Sequence, residues 1–254
     1  MDGASRTTIL GILVLAGRSL SAAELIRLAA PLRLSATNVK SHLTRMVLEG
    51  ALLREGPARL ATYSPSAGQR LVIEGIHASL APLPSEPWDG TWLMLSLQPP
   101  TDRGERDRLR AALWCDGWRP VGPFVVVRPA WPRRSAEAAA RLYAEHAPGF
   151  CFSGVCAAGP MPLELLYDLD GLDAEARRLA AWIITRSASA KSPKAAFVAR
   201  MKVGSRVAQF AGHDPRLPPE IWGERRGMRE MAEAFRHFEE CAAPASRLFL
   251  DGGV

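Results

Sequence analysis

Residues 9–16 read Ile-Leu-Gly-Ile-Leu-Val-Leu-Ala, a stretch so nearly apolar that no face of it is left for water. A helical segment of that composition must be surrounded by other elements once folded, so the start of the chain demands partners close by. The next residues supply them. A first helix is read over residues 7–16 and ends at Gly17. Ser21-Ala22-Ala23-Glu24 then has the form of a capping box, in which the serine hydroxyl accepts a backbone N–H and the glutamate reaches back, predicting a second helix over 22–32 with Pro31 near its end. Ser35 is the expected N-cap of a third helix ending at Gly50, a residue type that closes helices in the left-handed conformation.

Residues 51–54 and 59–64 read as two short strands joined at Gly56-Pro57. Helix, helix, helix, hairpin is the order of a winged helix-turn-helix. A further helix is expected over 66–79, and Pro82, Pro84 and Pro87 mark a stiff linker. Beyond it come a buried strand at 91–97, an amphipathic helix at 102–115, two extended pieces within 118–127 around Gly122-Pro123, a helix at 135–145 and a strand at 150–156. That βαββαβ order is the ferredoxin-like, split-βαβ pattern. Segments near 173–186, 194–210 and 225–242 show apolar residues at three- and four-residue spacings and read as helices, with a proline-rich loop at 213–223. The expected class is α+β, in three domains: a winged helix over 1–82, a ferredoxin-like domain over 83–160 and a mainly helical C-terminal domain over 161–254.

Charge is uneven along the 254 residues. The net charge is +6, and residues 1–85 carry nine Lys or Arg against five Asp or Glu, which places most of the excess at the N-terminus. A basic excess there suits a surface that meets phosphate. No run approaches the roughly 18 apolar residues of a membrane span and the first residues lack a secretion signal, so no membrane association is expected and the chain reads as cytoplasmic. The four cysteines, Cys115, Cys151, Cys156 and Cys241, form no disulfide framework.

The third helix carries the clearest chemistry. Val39, Leu43, Met46 and Val47 fall on one side of a helical wheel and face a core. The other side displays Thr37, Asn38, Ser41 and Arg45, flanked by Lys40, His42 and Thr44. Asparagine pairs with adenine in two hydrogen bonds and arginine with guanine, while Lys, Ser and Thr more often hold the backbone. Asn38, Ser41 and Arg45 are therefore the expected base readers, and Lys40, Thr44, Arg54 and Arg59 the expected phosphate contacts, with Thr37 beside them. A solvated amphipathic face looks the same in isolation; the position before a hairpin favours DNA.

Four stretches carry a family likeness. Trp88-Asp89-Gly90-Thr91-Trp92 resembles the WDGxW entry to the central domain of PaaX-type regulators, and Asp214-Pro215-Arg216-Leu217-Pro218 resembles their DPxLP loop. Residues 32–50 (LRLSATNVKSHLTRMVLEG) are similar to their recognition segment, and residues 242–250 (AAPASRLFL) to their closing APxxxxFL motif. The resemblance spans nearly the whole chain. It implies a homodimeric transcriptional repressor that binds double-stranded operator DNA and is released by an acyl-CoA thioester such as phenylacetyl-CoA, with no cofactor. Two departures stand out: the hairpin lacks an arginine-rich run, and the stretch after Pro218 is short.

Enzyme chemistry finds little footing. The central domain implied by the resemblance is similar to a CRISPR nuclease fold, yet the first strand ends Leu95-Ser96-Leu97-Gln98 without a carboxylate. Cys151, Cys156 and His146 lack the spacing of a metal set, and the histidines are scattered, so neither catalysis nor a metal is expected. Two rival readings remain: a degenerate nucleic-acid-processing enzyme, for which Asp102 and Asp116 would be the carboxylates to change, and a winged-helix module that binds protein. Lys191, Lys194, Arg200, Lys202 and Arg206 gather in the C-terminal region as cations for a CoA phosphate, a pattern that a solvated helix face explains equally.

Overall fold

The computed structural model describes residues 2–57, 60–67, 69, 70, 73, 84–134, 136–138, 140, 149–155, 161–187 and 192–252. It is a mixed α/β fold with two antiparallel sheets. The expected helix over 66–79, the linker residue Pro82, Arg59, Lys191, His146, Cys156 and the second half of the 135–145 helix fall wholly or largely outside the described residues. Contacts divide the chain into two units, residues 1–80 with 177–209 and 230–254, and residues 81–176 with 210–229. Residues 161–254, expected as one domain, are thus shared between the two.

The first unit opens with α1 (Asp2–Ala16), five residues longer at its start than the sequence pattern predicts. Its apolar run is enclosed as its composition demands: Ile9, Ile12 and Leu13 are buried, and Leu10, Leu15 and Ala16 pack against the same core. A Cβ on Gly11 would stand 2.8 Å from the Met201 methyl, so a larger residue there would push the end of that flexible side chain aside. β1 (Leu20–Ser21) follows, and Ser21 also caps α2 (Ala22–Ala29): its Oγ accepts from the Glu24 N–H at 3.2 Å and the Glu24 carboxylate accepts from the Ser21 N–H at 2.8 Å. The second helix gives way to a 3-10 turn (Ala30–Leu32) because Pro31 cannot continue α-helical hydrogen bonding.

After α3 (Ala36–Leu48), β2 (Leu52–Glu55) and β3 (Thr62–Pro65) form an antiparallel hairpin. β3 lies between β2 and β1, with Leu20 opposite Tyr63 and Ser21 opposite Thr62. Helices α7 (Pro193–Ala211) and α9 (Arg226–Leu250) complete this unit's core through Phe197, Met201 and Leu250. The Arg27 guanidinium donates to the carbonyls of Phe249 and Leu250 at 2.9 and 2.8 Å, closing the C-terminus of α9 with a cation where the helix dipole is negative. The sequence pattern ended that helix at 242; it runs on through Pro244 to Leu250, with Ala242 and Ser246 fully buried on either side of the proline.

In the second unit, β4 (Trp92–Leu97), α4 (Arg103–Cys115), β5 (Arg119–Gly122), β6 (Val125–Pro129) and β7 (Gly149–Gly154) follow one another, and the described residues within 133–140 are helical. The sheet order is β5-β6-β4-β7, antiparallel throughout, with Met94 opposite both Val127 and Phe152. Period-two alternation splits β4 between two cores. Leu93, Leu95 and Leu97 face Leu113, Trp118, Ala136 and Ala140, while Trp92 joins Val127, Tyr167 and Leu217 on the other side. Short helices α5 (Leu163–Leu166) and α8 (Pro219–Trp222) and the start of α6 (Leu169–Ser187) finish the unit. Among the described residues no helix is long and apolar enough to cross a membrane.

Candidate functional site

α3 starts where the capping chemistry put it. The Ser35 hydroxyl accepts from the Asn38 N–H at 3.2 Å, and Val39, Leu43 and Met46, at 0%, 2% and 1% exposure, anchor one face in the core. Every expected DNA contact on this helix lies on the other side: Thr37, Asn38, Lys40, Ser41, Thr44 and Arg45 are all exposed. The sequence pattern also assigned Val47 to the core, and it is half-buried. Thr44 donates its hydroxyl to the Lys40 carbonyl at 3.2 Å, which fixes its rotamer along the helix. The face holds Lys40 and Arg45 with no carboxylate between Ser35 and Leu48, and Glu49 just beyond is paired with Arg6. Arg54 is exposed on β2, opposite Tyr63; Arg59 lies outside the described residues. The arrangement is a rigid, cationic, donor-rich ridge whose apolar underside is locked by packing.

Trp88-Asp89-Gly90-Thr91-Trp92 closes on itself. The Trp88 indole N–H donates to the Thr91 carbonyl at 2.8 Å, Asp89 accepts from the Thr91 N–H at 2.9 Å and meets Arg133 at 3.0 Å, and the two tryptophans pack edge to face with centroids 5.7 Å apart. The Thr91 side chain and then its backbone N–H hold the Asp89 carboxyl below its ordinary value, with Arg133 adding to the effect. The segment orders the entry to β4.

The two carboxylates of the nuclease reading have structural employment. Asp102 caps α4 by accepting from the Glu105 N–H at 2.9 Å, and Asp116 accepts from the Trp118 indole at 3.2 Å and pairs with Arg128 at 3.1 Å. Among the described residues no group of three or more His, Cys, Asp or Glu is placed to hold a metal. Of the C-terminal cations, Arg200 is held by Glu239 and Arg206 lies over the Trp182 ring at 4.4 Å, whereas Lys194 and Lys202 are exposed.

Two features of the second unit escaped sequence reasoning. A cavity of about 340 Å³ opens between α4 and the β5–β6 turn, lined by apolar side chains including Leu97, Leu109, Trp114, Trp118 and Phe124, with Arg106 and Arg110 the charged groups in its wall. Phe124 sits at φ 60°, a backbone conformation costly for a bulky residue. The second feature is a knot of charge around the Asp214-Pro215-Arg216 loop. Asp214, 3% exposed, accepts from the Arg216 N–H at 2.9 Å and from the Arg225 guanidinium at 2.6 Å. Gly117, next to Asp116, abuts this loop so closely that a Cβ there would stand 2.7 Å from the Pro215 carbonyl oxygen, and its φ of +82° also requires glycine. The Tyr167 hydroxyl donates to the Gly117 carbonyl at 3.3 Å, and burial pushes that phenol up to about 12. The DPxLP likeness pointed to this loop but gave no sign of its buried ion pair or of its approach to Gly117.

No family model matches the chain, and no curated protein matches it. Among solved structures the chain is similar to the uncharacterized protein Rv0674 from Mycobacterium tuberculosis, with a TM-score of 0.57 and 24% identity over 97% of this chain and 98% of that one. At this identity the likeness shows the fold alone.

Proposed function

We propose that the chain is a DNA-binding transcriptional repressor of the PaaX type. The observation that carries this reading is the α3 face: six polar or cationic side chains, all exposed, on the third of three packed helices and immediately before a hairpin. In the proposed winged helix α3 enters the major groove, Asn38, Ser41 and Arg45 read base edges, and Lys40, Thr44, Arg54 and Arg59 contact phosphate. The second unit is read as ferredoxin-like; the β5-β6-β4-β7 order, with α4 between its first two strands in sequence, supports that assignment.

A homodimer would present two such helices to two half-sites of an operator. An acyl-CoA effector that favours a different dimer geometry would lower operator affinity by population shift. The apolar cavity supports an effector, since about 340 Å³ is room for an acyl group. The nuclease reading gains nothing from Asp102 and Asp116, whose side chains are engaged in a helix cap and an ion pair.

The test is a mobility-shift titration on DNA upstream of the chain's own gene, with and without phenylacetyl-CoA. Specific retardation is expected, relieved by the thioester, and Arg45→Ala should weaken it by about 1–3 kcal/mol while relaxing its sequence preference. Unchanged operator affinity in that variant, with the fold intact, removes the recognition-helix assignment. Specific binding indifferent to the thioester keeps the repressor and discards the effector.

A further inference from the structure

The charges around the Asp214 loop do not balance. Arg128 and Arg225 are 8% and 7% exposed and Arg216 is half-buried, so three guanidinium groups meet two carboxylates, Asp116 and Asp214. The carboxylates are already committed. Asp214 accepts from Arg225 and from a backbone N–H, and Asp116 from Arg128 and the Trp118 indole. Arg128 also donates through its terminal nitrogens to the Asp116 and Trp131 carbonyls at 2.8 and 3.3 Å, but donors remain: among the described residues the buried Nε atoms of Arg128 and Arg225 have no hydrogen-bond partner, and Arg216 bonds through its backbone N–H alone. A buried donor left without an acceptor is costly, and an anion relieves it. Burial lowers the affinity of Arg216 for its proton, Asp214 opposes this, and the neighbouring charges of Arg225 and Arg128 add to it, as expected where positive charge is in excess. The loop is also strained at two of these arginines, with φ of 50° at Arg216 and 40° at Arg225.

We propose that Arg216, supported by Arg225 and Arg128, forms an oxyanion site in the second unit that takes a phosphate group. Guanidinium forks match a tetrahedral oxyanion in bidentate geometry, and a doubly charged group compensates the excess cation with charge to spare for the half-open side of the loop. The phosphate belongs either to the free ion or to a phosphomonoester whose organic part extends outward. The site is independent of the α3 face and of any DNA activity, so it stands or falls by itself.

The experiment is thermal unfolding and calorimetric titration of the full chain with sodium phosphate and with glycerol 2-phosphate, against sodium chloride at matched ionic strength. Saturable binding is expected, raising Tm by roughly 5 °C at about a hundredfold excess over Kd. Tighter binding of the ester identifies an organic phosphate as the ligand; equal or tighter binding of inorganic phosphate identifies the free ion. Arg216→Gln should bind at least tenfold more weakly yet match or exceed the wild-type Tm in chloride, because it removes an uncompensated cation. Arg216→Lys should restore part of the binding. If Arg216 merely pairs with Asp214, Arg216→Gln will lower Tm in chloride and phosphate alike, and that result overturns the site, as does Tm behaviour no different in phosphate than in chloride.

Discussion

At the residue scale, the clearest local chemistry is the capping box of α2, legible in the sequence and reproduced bond for bond. Hydrogen bonding from the Ser21 N–H, aided by Arg18, lowers the Glu24 carboxyl to about 2. A carboxylate whose folded value is depressed stabilises the fold above its unfolded value and loses that contribution as pH falls through the folded one. Glu24→Gln should therefore lower Tm near neutrality, with the gap to wild type closing between about pH 5 and pH 2; a gap constant across that range would mean that Glu24 acts by packing alone. Other residues hid their roles. Asp116 reads as a candidate catalytic acid until Arg128 is seen beside it, and Asp116 ends α4 while Arg128 lies twelve positions away on β6.

At the element scale, what was legible tracks what is local. Caps and apolar spacing are written within four or five residues, and α3, α4, α6 and α7 lie within a few residues of their expected bounds. Two elements broke the local rules. β1 is two residues long, too short for any periodicity, and exists because β3 offers it an edge. α9 continues past Pro244, against proline's intrinsic cost in a helix, because Leu250 is buried at 3% exposure in the core and Arg27 holds the last carbonyls. Leu250→Ala should thus cost about 2–5 kcal/mol, the usual range for a buried leucine, measured by urea unfolding. A loss below about 1 kcal/mol would show that the last turn of α9 contributes little to this core. The exposed polar face of α3 was legible for the same local reason, a wheel with one apolar side.

At the scale of the whole molecule, the sequence pattern suggested three consecutive domains, and nothing local could have said otherwise. The first unit is assembled from three separated stretches, because Phe197, Met201 and Leu250 share a core with Ile9, Leu25 and Leu43. Residues 1–82 expressed alone should accordingly unfold at lower urea than the same helices do in the full chain, with faster amide exchange in α1. Equal midpoints would mean that the N-terminal segment is self-sufficient.

The bonds from Arg27 to the carbonyls of Phe249 and Leu250 span 222 and 223 positions. On the ribosome, Arg27 emerges more than ten seconds before its acceptors at ordinary elongation rates of roughly 5–20 residues per second. During that interval the apolar helix at the start of the chain has no finished core to enter. The N-terminal helices therefore keep apolar surface unburied until synthesis is nearly complete, and a nascent chain stalled late carries them unfinished.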